Sequence, residues 1–180
     1  MGNDIFVLVE HHAGVVTDPT HELLGKAGEL AQQSGGRVMA CLLANNAREL
    51  AEGLGADAVL YVEHPVLESF LPEAYVTTLE SLVKERDPRL VMIANTTVGM
   101  DVAGALSARS GRPLLAYCTG IACEGETTVA TSQVYGGKLN AEVAAEGPAI
   151  ASVIAGAFAP AEGGMPALEE FSACLLYTSP

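Results

Sequence analysis

Three short stretches of this sequence carry side chains that could do chemistry. Glu10-His11-His12 joins a carboxylate to two imidazoles, the ingredients of a metal or acid–base site. Adjacent residues on an extended chain point to opposite sides, so His11 and His12 do not naturally share a metal. No third ligand is evident, and they read as solvated loop histidines. The second stretch is Asn95-Thr96-Thr97-Val98-Gly99-Met100-Asp101, which leaves a strand and opens a helix. Free backbone N–H groups at a helix start favour anions, so Asn95, Thr96 and Gly99 are the candidate nucleotide-loop residues. Against that role, the loop has one glycine and no lysine. It fits neither phosphate-loop pattern, Gly-x-x-x-x-Gly-Lys-Ser/Thr or Gly-x-Gly-x-x-Gly. Asp101 would repel a phosphate, although as a first-turn acid it supports the helix. Helix capping is the competing reading. The third stretch, Tyr135-Gly136-Gly137-Lys138, offers one cation after two glycines and reads as a hairpin turn with a solvated lysine.

Other reactive residue types lack the company that chemistry requires. Ser107, Ser110 and Ser132 have no Gly-x-Ser-x-Gly context, so a nucleophile elbow has no support. Glu63, Glu68 and Glu73 spread over strand, loop and helix without paired-carboxylate spacing. The four cysteines, Cys41, Cys118, Cys123 and Cys174, include no Cys-x-x-Cys pair and read as structural or incidental. The expectation is no catalytic residue, no metal ligand and no catalytic activity of the chain's own.

The elements that hold these stretches follow from hydrophobic periodicity. Asp4 to Glu10, Arg37 to Leu43, Ala58 to Glu63 and Leu90 to Ala94 are apolar runs of buried parallel-strand type. The segment from His11 to Thr20 reads as a loop. A helix is expected over about Thr20 to Ser34, with Thr20 as N-cap and Gly35-Gly36 as its stop. A short helix is expected at Ala47 to Gly53. Another begins at Pro72 and ends at Asp87-Pro88. A small-residue helix follows Asn95 and stops at Gly111 and Pro113, before a fifth strand at Leu114 to Tyr117. The segments Gly120 to Cys123, Thr127 to Tyr135, Leu139 to Ala144 and Ala149 to Ile154 read as a concluding antiparallel section. The fold class is therefore α/β, three-layer and doubly wound, mostly parallel, with added antiparallel strands at the C-terminal end. Residues 1–155 form the domain and 156–166 a linker. The tail 167–180 has no room to form a second domain.

Composition narrows the function classes. At 180 residues and 49% hydrophobic, the chain suits one globular domain. A net charge of −13 without a basic run argues against nucleic acid and anionic membrane surfaces as partners. No apolar run approaches the roughly 20 residues of a membrane span, and membrane insertion is not expected. The N-terminus lacks signal-peptide character, and the expectation is a cytoplasmic or other reducing compartment.

Taken in order, the segments resemble the alpha subunit of the electron transfer flavoproteins, over about residues 4 to 160. Val7-Leu8-Val9-Glu10-His11 with Gly14 is similar to the opening of that family. Glu22-Leu23-Leu24, Ala27 and Leu30-Ala31 look like its first helix. Gly55-Ala56-Asp57, Tyr61-Val62-Glu63-His64-Pro65 and Leu71-Pro72-Glu73-Ala74-Tyr75 resemble its middle section. Ala94 to Asp101 with Ala103 and Leu106, then Val134 to Lys138 and Pro148-Ala149-Ile150, complete the likeness. The resemblance implies a Rossmann-like (adenine nucleotide alpha hydrolase-like) N-terminal domain. It implies an electron carrier that uses FAD between flavin dehydrogenases and an acceptor, working as a heterodimer with a homologous beta subunit. In that family FAD is held mainly by a separate C-terminal domain. No flavin motif maps onto this chain, so none is expected to bind this fragment alone. The alternative is a free-standing adenine-nucleotide-binding α/β module using Asn95, Thr96 and Gly99. The tail from Ala173 to Pro180 departs from the family and reads as truncated or foreign sequence.

Overall fold

The computed structural model describes residues 2–172. Cys174 and the tail 173–180 lie outside the described residues. Along the chain come β1 (Ile5–Leu8), a hairpin of β2 (His11–His12) and β3 (Val15–Val16), α1 (Asp18–Ser34) and β4 (Val38–Ala44). Then follow β5 (Ala58–Glu63), α2 (Pro72–Arg86), β6 (Leu90–Ala94), α3 (Thr97–Ser110) and β7 (Leu114–Glu124). The chain continues through β8 (Thr127–Val134), β9 (Leu139–Glu146), β10 (Ala149–Val153) and β11 (Ala167–Glu170).

Among the described residues the large sheet has the order β11-β5-β4-β1-β6-β10-β7-β8-β9. All neighbours are parallel from β11 to β7, and β8 and β9 add to β7 antiparallel. Every residue of β1, β4, β6 and β10 is buried. This is why their sequences are continuously apolar, because strands covered on both faces cannot alternate with polar residues. The period of two sorts them instead between two cores. Ile5, Val7 and Val9 face one core with α1, while Phe6 and Leu8 face the other with α2 and α3. The three-layer, mostly parallel α/β expectation holds.

Several local expectations change in physical detail. The stretch after Glu10 is not a plain loop. It forms the β2–β3 hairpin, with Ala13 and Gly14 both at positive φ in the turn. Thr17, not Thr20, sits at the N-cap of α1, and Thr20 is fully buried. Gly35 does stop α1 in the left-handed conformation, and its N–H donates to the Ala31 carbonyl. The expected helix at Ala47 to Gly53 shrinks to a 3-10 turn at Arg48–Ala51. Leu114 to Tyr117 and Gly120 to Cys123 are one strand, β7, broken by an irregularity around Tyr117 and Thr119. Ala149 to Ile154 is not part of the antiparallel section: β10 inserts as a parallel strand between β6 and β7.

Residues 156–166, read as linker, run along the domain surface. Gly156 N–H donates to Glu22 Oε2 at 2.6 Å, Ala161 N–H to the His21 carbonyl, and Gly53 N–H to the Gly164 carbonyl. Ala157, Phe158 and Ala161 pack on the α1-side core. That core needs cover here because the β4–β5 connection supplies only a 3-10 turn. The strap then ends in β11, zipped onto β5.

Candidate functional site

In an open parallel sheet the ligand crevice lies at strand C-termini where the strand order reverses. Here that place is between β1 and β6. Glu10, two residues past β1, is fixed there by its backbone. Its N–H donates to Thr20 Oγ1 at 3.0 Å, and the Thr20 hydroxyl donates to the Glu10 carbonyl. The Glu10 carboxylate then accepts from Thr96 Oγ1 at 2.6 Å. The same Thr96 oxygen accepts from Gly99 N–H at 3.0 Å and so caps α3. Gly99 itself is required by close approach. A Cβ there would lie 1.8 Å from the Ala94 carbonyl oxygen. Asn95 turns the other way. Its N–H donates to the Val153 carbonyl, and its Oδ1 accepts from the Ser152 hydroxyl at 2.8 Å, which ties β6 to β10.

The three nucleotide-loop candidates are thus brought together, each already engaged with the protein. Glu10 presents a carboxylate, not a cation, to Thr96 at the start of α3. A phosphate placed there would face the negative charge of Glu10 at close range.

Beside this pair opens a cavity of about 630 Å³, lined among others by Glu10, His11, Glu68, Phe70, Tyr75 and Val98. His11 Nε2–H and the Tyr75 hydroxyl both donate to the Leu43 carbonyl, at 3.1 and 3.2 Å. Burial, with a smaller contribution from Glu10, pushes the Tyr75 hydroxyl up to about 12. Phe70 meets Tyr75 edge-on, with ring centroids 5.0 Å apart. Among the described residues, no lysine or arginine lines this cavity. The diphosphate of FAD needs cations or a free nest of N–H groups, so these residues do not fit that cofactor.

Several of the remaining candidates have structural partners. His11 and His12 pair with Val16 and Val15 in the hairpin, and among the described residues no His, Cys, Asp and Glu group could hold a metal. Ser107 and Ser110 hydroxyls donate to the carbonyls of Arg112 and Leu106. Glu73 pairs with Arg109 at 2.7 Å. Tyr135 to Lys138 form the β8–β9 turn, with Tyr135, Gly136 and Gly137 at positive φ. Burial raises the Cys41 thiol and pushes the Cys118 thiol up to about 11, so both stay protonated hydrophobes. Two contributors escaped sequence reasoning. Thr20 reads as a cap, and no motif or spacing singles out Arg89. Arg89 is buried, and its guanidinium donates to the carbonyls of Gly125 and Thr127.

Residues 5–175 match the profile of the Electron transfer flavoprotein domain. The chain belongs to this family. The electron transfer flavoprotein subunit alpha of Thermoanaerobacterium thermosaccharolyticum is 32% identical over 144 residues, covering 78% of this chain and 44% of that protein. The subunit alpha of Clostridium acetobutylicum is 32% identical over 161 residues, covering 86% and 48%. The acryloyl-CoA reductase electron transfer subunit beta of Anaerotignum propionicum is 32% identical over 119 residues, covering 64% and 32%. The chain spans less than half the length of these relatives. Among the described residues of this electron transfer flavoprotein domain, no helix is long and apolar enough to cross a membrane.

Proposed function

We propose that the chain is the subunit-docking domain of an electron transfer flavoprotein of the alpha type. It docks on a beta subunit and supports FAD-mediated electron transfer between flavin dehydrogenases and an acceptor. It acts in the cytoplasm as a component of an electron carrier, not as an enzyme. The observation that carries this reading is the family match across residues 5–175. Three of the relatives above bear electron-transfer subunit names.

The site supports an assembly role for residues 1–155. FAD, when bound in the whole protein, supplies the one- and two-electron chemistry. This chain's own crevice is occupied by its own hydrogen bonds, from Thr20 through Glu10 to Thr96 and Gly99. Those bonds fix the relative placement of β1, α1 and α3, and a rigid body is what a docking domain must offer. The flavin is held outside the residues described here.

The alternative is nucleotide binding at Asn95, Thr96 and Gly99, and the 630 Å³ cavity beside them is the observation in its favour. One calorimetric series separates the two readings. AMP, ATP and FAD are titrated into the chain up to millimolar concentration, and then the beta subunit from the same genome. Heat is expected from the beta subunit alone. Saturable nucleotide heat without subunit binding overturns the docking reading in favour of the binding module.

A further inference from the structure

The antiparallel end of the sheet leaves an apolar surface uncovered. The helices lie over β1, β4, β6, β7 and β10, while β8 and β9 extend sideways from β7. Strand alternation sorts β9 into two faces. Ala145 is buried in the α1-side core together with Ala130 and Ile121. The period of two places Leu139, Ala141 and Val143 on that same side, opposite Val134, Ser132 and Ala130 of β8. Asn140, Glu142, Ala144 and Glu146 take the other side. The apolar side begins as core at β7 and ends as surface at β9, where Leu139 is 58% and Val143 39% exposed. Tyr135, in the adjoining turn, is 78% exposed.

Two further features mark this place. β9 is the last strand of the sheet among the described residues, so its outer backbone groups have no strand partner there. An unpaired edge beside exposed apolar side chains is what a free-standing monomer avoids. The extension is also held in place from below. The buried Arg89 guanidinium grips the β7–β8 turn through the Gly125 and Thr127 carbonyls.

Charge decides the kind of occupant. Glu124, Glu126, Glu142 and Glu146 sit on or beside these strands, against Lys138 in the β8–β9 turn and the buried Arg89, in a chain of net charge −13. A second copy would set like charges beside one another, which is destabilising across paired strands. A different chain with lysine or arginine at its rim meets both the charge and the apolar face.

We propose that the β9 edge and its Leu139–Val143 face are the surface on which this domain docks a different protein chain. That partner straddles the β9 edge: it offers an apolar surface to Leu139 and Val143 on one face, and lysine or arginine side chains to Glu142 and Glu146 on the other. The proposal rests on the subunit reading above, and the partner is the beta subunit.

The test uses the full chain and the beta subunit, with affinity read by titration calorimetry. Leu139→Asn with Val143→Thr is expected to weaken binding about tenfold or more. Leu168→Asn, on β11 at the opposite edge of the sheet, leaves it unchanged. Glu142→Lys with Glu146→Lys lowers the affinity and flattens its salt dependence. Wild-type binding that survives the Leu139/Val143 change at full strength overturns this surface and leaves the subunit reading standing. No binding by the wild-type chain removes both. Self-association of the wild type that the same change abolishes overturns the choice of partner. Amide exchange needs no variant: protection across 139–146 is expected to rise about tenfold in the wild-type complex. Unchanged exchange there also overturns the proposal.

Discussion

The strap over α1 can be tested with two glycines of one helix. Gly25 and Gly28 both lie inside α1, and alanine at either position gains about 1 kcal/mol of helix propensity. Their surroundings differ. A Cβ at Gly28 meets nothing within 4 Å. A Cβ at Gly25 falls 2.3 Å from the Ala159 carbonyl oxygen and 2.9 Å from the Ala161 nitrogen, both backbone atoms of the strap. Gly25→Ala must therefore push the strap off the helix. That breaks the Ala161 N–H bond to His21 and the Gly156 N–H bond to Glu22, about 1 kcal/mol each. It also exposes part of Phe158, Ala157 and Ala161, worth about 1–2 kcal/mol. The loss outweighs the propensity gain by roughly 2–3 kcal/mol, or about 5–10 °C in Tm for a domain of this size. Gly28→Ala is expected to raise Tm by about 2–4 °C. Thermal unfolding followed by circular dichroism reads both variants, and limited proteolysis reads cleavage between residues 156 and 166. A Gly25→Ala protein as stable as Gly28→Ala, with no new cleavage, would refute the packed strap.

Three other outcomes follow from the site and its supports. Thr96→Ala removes the α3 cap and the partner of Glu10, and should lower stability by about 1–2 kcal/mol in urea unfolding, while Thr96→Ser retains most of it. Arg89→Met leaves two inward carbonyls without a donor, at a cost of about 2–4 kcal/mol, and amide exchange should quicken first around Gly125. Tyr75 is raised from 10 to about 12, so the folded state favours the neutral phenol. Its contribution is complete below pH 10 and is lost as pH rises through 12, so Tyr75→Phe should flatten the alkaline fall in stability, with ultraviolet phenolate absorbance as the check.

What the sequence makes legible is what depends on local pattern. β1, β4 and β6 announce themselves because burial on both faces requires unbroken apolar runs. Gly35, Pro72 and Gly111 mark helix ends because backbone conformation is a local property. The place of β10 is not local. Ala149-Ile150-Ala151-Ser152-Val153 looks like its antiparallel neighbours, and only pairing with β6, some sixty residues earlier, puts it at the centre of the sheet. The strap has linker composition because it packs through backbone against glycine, so Ala, Pro and Gly are what close approach demands. At the candidate site, Glu10 stood out beside two histidines, yet its partner is Thr96, far along the chain. A bond between two distant polar residues leaves no periodic signal at either end.

The most direct measurement is to co-express the chain with the beta subunit from the same genome and pass the product through size exclusion with multi-angle scattering and a full absorbance scan. The expected result is a one-to-one complex in which this chain adds no flavin absorbance. A solitary monomer that carries bound flavin or nucleotide would contradict the docking role, and would make Asn95, Thr96 and Gly99 the first residues to change.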